Sequence, residues 1–304
     1  MRKVFLFLLF ISLIKQGFST EKILFSKLDI NAGLSQNHIN CIFKDSKGFV
    51  WIGTMSGLNR YDGSLFKIFR NDANDSASII DNFIISITED NFGCLWILTR
   101  LGYNIYNPVD ESFSRQAPEC FSAIGSDFTQ INEMTKDTDG GLWFAQSNLG
   151  VIYYNPLENK CELLKVNPKN TECLSSKAVR AITNDTEGNL LTINDNAVIE
   201  RIDHKTKKVT QRITSIRNIC GDLAFYKIMC DKENLIWVYS TNVASGIYQI
   251  NPRTLKTRIF NTKSLPALNN NIIRAVEDDG LGRIWIGTDH GGINIIDKKA
   301  DKIT

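Results

Sequence analysis

The chain has 304 residues, of which 43% are hydrophobic and 22% charged, and its 35 basic and 33 acidic residues nearly cancel. This composition is typical of a globular protein with a large apolar core. The charge balance excludes the strongly basic surface by which most nucleic-acid-binding proteins are recognised. The only histidines are His38, His204 and His290, so neither a histidine-based metal site nor a bound metal or cofactor is expected.

The chain begins with the features of a secretory signal peptide. Arg2 and Lys3 precede an apolar run from Val4 to Ile14, and small residues from Gly17 to Ser19 provide a cleavage site. A membrane anchor is the alternative, but the run is shorter than the ~20 apolar residues that a helix needs to cross a bilayer. We therefore expect residues 1–20 to be a signal peptide, and the mature chain to be periplasmic without a later membrane span.

The cysteines form no close pair, and their number is odd. This pattern argues against both a disulfide framework and a zinc site. Most of them are expected to be small apolar core residues, although Cys161 and Cys173 could pair after export. The seven positions are Cys41, Cys94, Cys120, Cys161, Cys173, Cys220 and Cys230.

One pattern, D-x-x-G-x-x-W, recurs six times at intervals of 45 to 48 residues and includes all five tryptophans. A fixed period of this length is the signature of a repeat architecture. In the fourth copy Leu191 replaces the Trp, and in the fifth copy Asn234 replaces the Gly. The remaining motif positions are Asp45, Gly48 and Trp51; Asp90, Gly93 and Trp96; Asp137, Gly140 and Trp143; Asp185 and Gly188; Asp231 and Trp237; and Asp279, Gly282 and Trp285.

Each copy lies within a unit of four short strand-like runs. The Asp is expected to cap backbone N–H groups in the turn between the first two strands, and the Gly to take a positive φ. Four strands in about 46 residues is the pattern of a propeller blade. We therefore predict an all-β fold, a β-propeller of about six four-stranded blades, with an incomplete seven-bladed propeller as the alternative. The predicted domain spans residues 21–304, with repeat units at about 34–70, 80–115, 127–165, 174–213, 221–260 and 268–304.

The repeated Trp has a structural explanation. A single four-stranded sheet buries too little surface, so blades must pack face to face, and a large flat side chain fills the gap. The last unit reaches Ala300 where its outer strand should begin, whereas residues 23–28 resemble an outer strand without a blade. This segment is a possible closing strand for the last blade. The alternative is that the chain is the front part of a longer propeller.

Two segments resemble the two-component regulator propeller repeat. They are GLSQNHINCIFKDSKGFVWIGTMSGLNRYDG at residues 33–63 and LNNNIIRAVEDDGLGRIWIGTDHGGINIID at residues 268–297. The resemblance implies the periplasmic sensor region of a Bacteroidetes hybrid two-component sensor histidine kinase, a class of protein that detects glycan fragments. The kinase that follows such regions is absent from this chain. The resemblance thus implies a truncated or split sensor, with a histidine kinase partner or a missing C-terminal region, or a stand-alone binding propeller.

Three classes of propeller enzyme fit the sequence less well. The sialidase repeat separates Asp and Gly by two positions instead of three, quinoprotein dehydrogenases need vicinal cysteines, and streptogramin lyases need paired histidines. We therefore expect a non-catalytic sensor that binds an oligosaccharide or another small periplasmic ligand. A scaffold for protein–protein interaction is the alternative, and a lyase-type or hydrolase-type enzyme is less favoured.

Ligand-binding residues are predicted in the loops between the second and third strands of each unit, because a rigid scaffold commonly presents function on loops. These loops are rich in amides and hydroxyls, which suit the many hydroxyls of a sugar. Asn37, Asn82 and Asn271 recur fourteen residues before the Trp position and are favoured as turn caps, while the segment 71–81 could cover the mouth of the propeller. The candidate ligand-binding residues are Arg100, His290, Asp289, Asn148, Asn242, Asn37 and Asn82.

Overall fold

The computed structural model describes residues 25–126, 128–217, 219–221 and 224–304. The predicted signal peptide, residues 1–20, lies outside the described residues. Within them the chain forms six antiparallel sheets of four strands each, and in every sheet the strands lie side by side in chain order. The predicted all-β propeller of six four-stranded blades is confirmed.

The strands follow one another along the chain, four to a blade. They are β1 (Ile39–Lys44), β2 (Val50–Thr54), β3 (Gly57–Tyr61) and β4 (Phe66–Phe69) in blade 1; β5 (Ile84–Glu89), β6 (Leu95–Thr99), β7 (Gly102–Asn107) and β8 (Ser112–Ser114) in blade 2; β9 (Ile131–Lys136), β10 (Leu142–Gln146), β11 (Gly150–Asn155) and β12 (Lys160–Leu163) in blade 3; β13 (Val179–Asn184), β14 (Leu190–Asn194), β15 (Ile199–Ile202) and β16 (Val209–Ile213) in blade 4; β17 (Tyr226–Cys230), β18 (Ile236–Ser240), β19 (Ile247–Ile250) and β20 (Thr257–Phe260) in blade 5; and β21 (Ile273–Asp278), β22 (Arg283–Thr288), β23 (Gly292–Asp297) and β24 (Lys302–Ile303) in blade 6.

Three short helical segments lie in the connections. One turn of 3-10 helix, Ile30–Ala32, precedes blade 1, and another, Phe128–Gln130, leads into blade 3. The α-helix α1 (Glu119–Ala123) lies in the connection from blade 2 to blade 3, and its Phe121 is fully buried. Five residues are too few to produce a helical periodicity in the sequence, and α1 was not predicted.

The turn at each D-x-x-G motif has the predicted chemistry. Asp45 Oδ1 accepts hydrogen bonds from the backbone N–H of Lys47 at 3.0 Å and of Phe49 at 2.9 Å. Gly48 has a φ of +92°, and in the fifth copy Asn234 takes the same left-handed conformation with a φ of +64°. Asparagine tolerates this region better than most residues, which explains why it can replace the glycine there.

The same aspartate also binds the tryptophan. Trp51 Nε1 donates to Asp45 Oδ2 at 2.7 Å, and the pair is buried. Trp96, Trp237 and Trp285 donate in the same way to the aspartates six residues before them, at 2.9, 2.9 and 3.1 Å. The sequence analysis assigned the Asp to the turn alone, so this second role was missed.

The third and fourth blades depart from this arrangement. In blade 4, where Leu191 replaces the Trp, Asp185 accepts hydrogen bonds from Asn189 and Arg201 instead. In blade 3, the buried Trp143 Nε1 has no hydrogen-bond partner among the described residues. Burial raises the pKa of the neighbouring Asp137.

Five hydrophobic clusters hold neighbouring blades together. Each cluster joins the tryptophan face of one blade to the opposite face of the next. In the first of these seams, Trp51 and Leu58 of blade 1 pack with Ile84, Ile97 and Tyr106 of blade 2. The predicted placement between blades is therefore confirmed for the tryptophans of blades 1, 2, 3 and 5, and in blade 4 Leu191 takes the same position. Trp285 of blade 6 belongs to none of these clusters and is only partly buried.

The last blade is completed by its own C-terminal strand. β24 pairs with β23 through Ile296 with Ile303 and Asp297 with Lys302. Residues 25–29 belong to no strand, and Ile23 and Leu24 lie outside the described residues. The fourth strand is thus not the segment 23–28 of the sequence analysis, because the chain turns at residues 298–301 and pairs directly with β23.

The predicted pairing of Cys161 with Cys173 was wrong. Cys161 bonds to Cys120, 41 residues earlier, and Cys173 is a free thiol. Cys120 belongs to α1, which packs against the outer strand β12 that carries Cys161. Because α1 was not visible in the sequence, its cysteine could not be placed beside β12.

We predict that Trp51→Phe destabilises the fold more than Trp143→Phe. Both side chains are fully buried, but only Trp51 donates a hydrogen bond to an aspartate. Its loss leaves a buried carboxylate oxygen unpaired, which costs about 1–3 kcal/mol. Urea denaturation of the two variants measures the difference, and an equal loss of unfolding free energy would contradict a role for the indole N–H.

We also predict that the Cys120–Cys161 disulfide stabilises the propeller. A bond that closes a loop of 41 residues contributes roughly 2–4 kcal/mol through the unfolded chain. The double variant Cys120→Ser, Cys161→Ser should therefore melt at a lower temperature than the parent protein. Dithiothreitol should lower the melting temperatures of the parent and of a Cys173→Ser control by the same amount, because both keep the bond. A parent insensitive to reductant would refute the bond.

Candidate functional site

Each inner strand contributes one residue at an equivalent position near its start, and four of the six line a common cavity. It is the residue that follows the first position of β1, β5, β9, β13, β17 and β21. We call this set the mouth ring: Asn40, Ile85, Asn132, Arg180, Lys227 and Arg274.

A β-bulge creates the mouth ring in five of the six blades. In blade 4, Val179 pairs with Asn194 and Ala181 with Ile193, so Arg180 has no partner in the ladder. The equivalent register shift falls at the ring residue of blades 1, 2, 3 and 6. Because a bulge turns one side chain away from the regular alternation, the fold can place a ring residue independently of the packing between blades.

The ring residues of blades 2 to 5 line a cavity of about 560 Å³. Thr99 and Arg100 from the β6–β7 turn and Ser147 from the β10–β11 turn complete its polar wall. Phe225 adds an exposed aromatic surface beside Lys227. The cavity therefore combines hydroxyls, amides, an aromatic ring and three cations.

Each of the three cations is held by a carboxylate. Arg100 Nε donates to Asp81 Oδ2 at 3.2 Å, and its guanidinium lies over the ring of Phe83. Arg180 forms an ion pair with Asp195. Lys227 Nζ donates to Glu133 Oε1 at 2.7 Å, which links blade 5 to blade 3 across the channel. These pairs orient the cations while leaving Arg100 64% exposed.

The neutral groups of the cavity are also oriented. Ser147 Oγ lies 3.0 Å from Asn132 Oδ1, and Asn132 Nδ2 donates to the backbone carbonyl of Val179 in the next blade. Burial raises the pKa of Tyr226 to about 12, so its hydroxyl stays neutral and accepts a hydrogen bond from the N–H of Cys220. This wall presents fixed donors and acceptors at physiological pH.

Of the predicted ligand-binding residues, Arg100 lies on the cavity and the other charged candidates do not. Asp289 and His290 lie in the β22–β23 turn of blade 6, where Asp289 pairs with Arg274 at 3.3 Å. This contact and the nearby His290 hold the pKa of Asp289 below its usual range. The His290 side chain is 91% exposed and contacts Asp289 at 3.2 Å.

The asparagine candidates have mainly structural contacts. Asn82 Oδ1 accepts from the N–H of Asn71, and Asn37 Oδ1 accepts from the N–H of Ile30, as turn caps do. Asn242 Oδ1 accepts from the N–H of Phe225 at 2.7 Å. Asn148 lies exposed in the β10–β11 turn with a φ of +64°.

The sequence analysis missed the mouth ring because it looked for function in loops. Arg180, Lys227 and Asn132 lie inside strands, where side chains are normally assigned to packing. One signal was available: the ring position carries polar or charged residues in five of six inner strands, next to an apolar residue. A polar residue at one fixed position of otherwise apolar strands is a pattern that packing alone does not explain.

The connection at residues 71–81 does not cover the mouth. It runs along blade 2, where Ala77 O accepts from the N–H of Phe113 in the outer strand β8. Arg115 donates to the carbonyl of Ser78 in the same connection. These contacts hold the segment at the outer edge of the propeller instead of above the cavity.

The described residues contain neither a cluster suited to a metal ion nor a helix suited to a membrane crossing. No cluster of three or more histidine, cysteine or acidic side chains is arranged to hold a metal ion. None of the helices in the described part of the chain has the length and apolarity that a membrane crossing requires.

The family model for the two component regulator propeller matches residues 33–56, 78–100 and 267–290, which lie in blades 1, 2 and 6. The chain carries the two component regulator propeller repeat. A curated relative, Histidine kinase P4 from Formosa agariphila, is 50% identical over 46 residues, which is 15% of this chain and 3% of the kinase. The chain thus spans a small part of that relative's length.

Solved structures share the propeller fold of this chain. The extracellular domain of a proposed hybrid two component system from B. thetaiotaomicron matches with a TM-score of 0.70 and 23% identity, over 93% of this chain and 38% of that one. Virginiamycin B lyase from Staphylococcus aureus matches with a TM-score of 0.62 and 14% identity, over 88% of this chain and 83% of the lyase. At these identities the likeness establishes the propeller fold alone.

We predict that Asn82 contributes to the stability of the fold and that Asn148 does not. Asn82→Ala removes the acceptor for the N–H of Asn71, so it should lower the free energy of unfolding by about 1 kcal/mol. Asn148→Gly should be neutral, since glycine accepts the left-handed φ at that position without strain. Thermal denaturation of both variants checks this, and a large loss for Asn148→Gly would reveal a contact that its exposure does not indicate.

Proposed function

We propose that the chain is the exported ligand-sensing propeller of a two-component signalling system, and that it binds an oligosaccharide in the mouth cavity. The single observation that carries the proposal is the mouth ring, which brings Asn132, Arg180 and Lys227 from three blades to one cavity. The repeat family supplies the signalling context. The propeller itself has no catalytic role in this proposal.

The wall of the cavity supports a sugar as the ligand. Sugars present many hydroxyls that need both donors and acceptors, and the amide and hydroxyl side chains of Asn132, Ser147 and Thr99 offer both. The exposed ring of Phe225 provides a flat apolar surface on which a sugar ring can stack. Charged groups held in fixed ion pairs lose little side-chain entropy when a ligand binds.

The cations favour a sugar that carries carboxylate or sulfate groups. Arg100 contacts its aspartate through two donors and Arg180 through one, and each keeps further donors because a guanidinium has five N–H groups. Bidentate binding of an oxyanion by arginine is strong and directional. An anionic group could therefore bind between Arg100 and Arg180 while the two aspartates stay in place.

Export is supported by two observations of different kinds. The Cys120–Cys161 disulfide fits an oxidising compartment, since such bonds rarely persist in the cytosol. The solved B. thetaiotaomicron neighbour is an extracellular domain. Together with the signal-peptide features of residues 1–20, these observations favour a periplasmic propeller.

The proposal predicts that Arg100→Ala with Arg180→Ala weakens the binding of an anionic oligosaccharide. The loss of hydrogen bonds to a charged group should raise the Kd by roughly 10-fold to 100-fold. The sugar is first found by screening the purified protein against a panel of neutral, uronic-acid and sulfated oligosaccharides by thermal shift. Isothermal titration of the best binder then compares the double variant with the parent.

Arg253→Ala is the matched control, because Arg253 is an exposed arginine in the β19–β20 turn that does not line the cavity. It should bind the sugar like the parent. If no sugar in the panel shifts the melting temperature, the proposal of glycan binding fails and the protein scaffold takes its place. If a sugar binds but the double variant retains full affinity, the mouth cavity is not its site.

A further inference from the structure

One position of the inner strands differs in character between the blades. In each blade it pairs with the next-to-last residue of the second strand, and in blades 1, 2, 4 and 6 it carries a small side chain. Blade 3 carries Glu133 there, and blade 5, which lacks the bulge, carries Lys227. The position thus holds two opposite charges, two blades apart, among small side chains. The small residues are Cys41, Ser86, Ala181 and Ala275.

Glu133 and Lys227 meet at the inner edge of the blade between them. Lys227 Nζ donates to Glu133 Oε1 at 2.7 Å, and the N–H of Ile182 in blade 4 donates to Glu133 Oε2 at 2.9 Å. Ala181, the residue before Ile182, has only a methyl group, which leaves space for the two longer side chains. Both carboxylate oxygens are therefore engaged. We call the Glu133–Lys227 pair the floor bridge.

The floor bridge lies at the inner end of the mouth cavity. Lys227 lines the cavity, whereas Glu133 does not. Glu133 follows the lining residue Asn132 and is one residue farther from the start of β9. The side chain of Glu133 is 23% exposed and that of Lys227 is 42% exposed. A ligand in the cavity can therefore contact the ammonium of Lys227, with the carboxylate behind it.

The Glu133 carboxylate also acts on two further blades. Burial raises the pKa of Tyr103 in blade 2 and of Tyr239 in blade 5, and the nearby charge of Glu133 raises both further. Both hydroxyls stay neutral, so they add no charge to the channel. Because partly buried charges are screened less than exposed ones, the Glu133 carboxylate reduces the attraction of Lys227 for an anion.

Lysine and arginine respond differently to a neighbouring carboxylate. The charge of lysine is concentrated on one nitrogen, whereas that of arginine is spread over a planar group with five N–H donors. Arg100 and Arg180 therefore keep further donors that can bind an oxyanion beside their aspartates. Lys227 also keeps N–H donors, but its charge is compensated at the nitrogen itself. These donors suit the neutral hydroxyl oxygens of a sugar.

We propose that Glu133 determines where an anionic group can bind in the mouth cavity. By compensating the charge of Lys227, it makes the floor of the cavity bind neutral hydroxyls, and anionic groups bind between Arg100 and Arg180. This inference rests on the proposed function, because it concerns the same cavity, and it assigns an orientation to the sugar. The neutral part of the sugar faces the floor bridge, and its carboxylate or sulfate group faces the two arginines.

Inorganic sulfate tests the inference without a sugar. Glu133→Gln keeps the shape of the side chain and an acceptor for the N–H of Ile182, but it leaves the charge of Lys227 uncompensated. We expect this variant to bind sulfate about 10-fold more tightly than the parent. The titration is followed at constant ionic strength through the backbone amide NMR signals of Ser147 and Arg180.

Two more variants and a matched control complete the experiment. Lys227→Gln leaves the carboxylate uncompensated, so it should bind sulfate about 10-fold more weakly than the parent. The double variant Glu133→Gln, Lys227→Gln has no charge at the floor and should bind sulfate like the parent. Glu172→Gln is the control, since Glu172 pairs with Lys208 at 2.8 Å and neither residue lines the mouth cavity. It should leave the sulfate affinity unchanged.

Three results would overturn the inference. Glu133→Gln could bind sulfate like the parent, its gain could persist in the double variant, or Glu172→Gln could show the same gain. If Glu133→Gln does not fold, Lys227→Gln carries the test, and unchanged sulfate binding in that variant would overturn the inference as well. None of these measurements uses a sugar, so their failure is distinct from a failure of the oligosaccharide screen.

Discussion

The fold depends on one constraint, that a four-stranded blade cannot bury enough apolar surface without a neighbour. In blades 1, 2, 3 and 5 the Trp at the end of the D-x-x-G-x-x-W motif meets this constraint by filling the space between two sheets, as Trp51 does against Ile84 and Tyr106. The aspartate of the motif fixes the indole through its N–H and fixes the turn through its other oxygen. Each repeat thus carries the turn, the aspartate that holds the indole and the packing residue within seven positions. Each blade buries its apolar surface by packing on the face of its neighbour.

The sequence predicted those features that are encoded locally. The D-x-x-G turn, the four strands of each blade and the place of the Trp between blades all follow from residues close together in the chain. The substitution of Leu191 for Trp also fits, because an aliphatic side chain fills the seam and Asp185 finds other donors in Asn189 and Arg201. Local patterns suffice here because every blade buries its apolar surface against a neighbouring blade in the same way.

The features that the sequence analysis missed depend on distant residues or on a change in backbone register. The Cys120–Cys161 bond could be predicted only from the position of α1 beside β12, and no local sequence pattern indicates that position. The mouth ring could be predicted only with knowledge of the bulge that leaves Arg180 without a partner in the ladder. A bulge changes the strand pairing without changing the amino-acid composition. Sequence reasoning included Arg100 among the candidates because it lies in a turn, and a turn residue is expected at the rim whatever the strand register. Arg180 and Lys227 lie in strands, so their positions became clear only when the strand pairing was known.

The mouth ring also contributes contacts between neighbouring blades. The cavity is lined by the ring residues of blades 2 to 5, whereas Asn40 and Arg274, the ring residues of blades 1 and 6, do not line it. Asn40 Nδ2 already donates to the carbonyl of Ile84 in the next blade, as Asn132 does to Val179, so the ring residue can bind across a seam. Arg274 instead donates back to Thr241 and pairs with Asp289. Arg274 thus contacts the blade that precedes it, whereas Asn40 and Asn132 contact the blade that follows, so the ring residues join neighbouring blades in both directions.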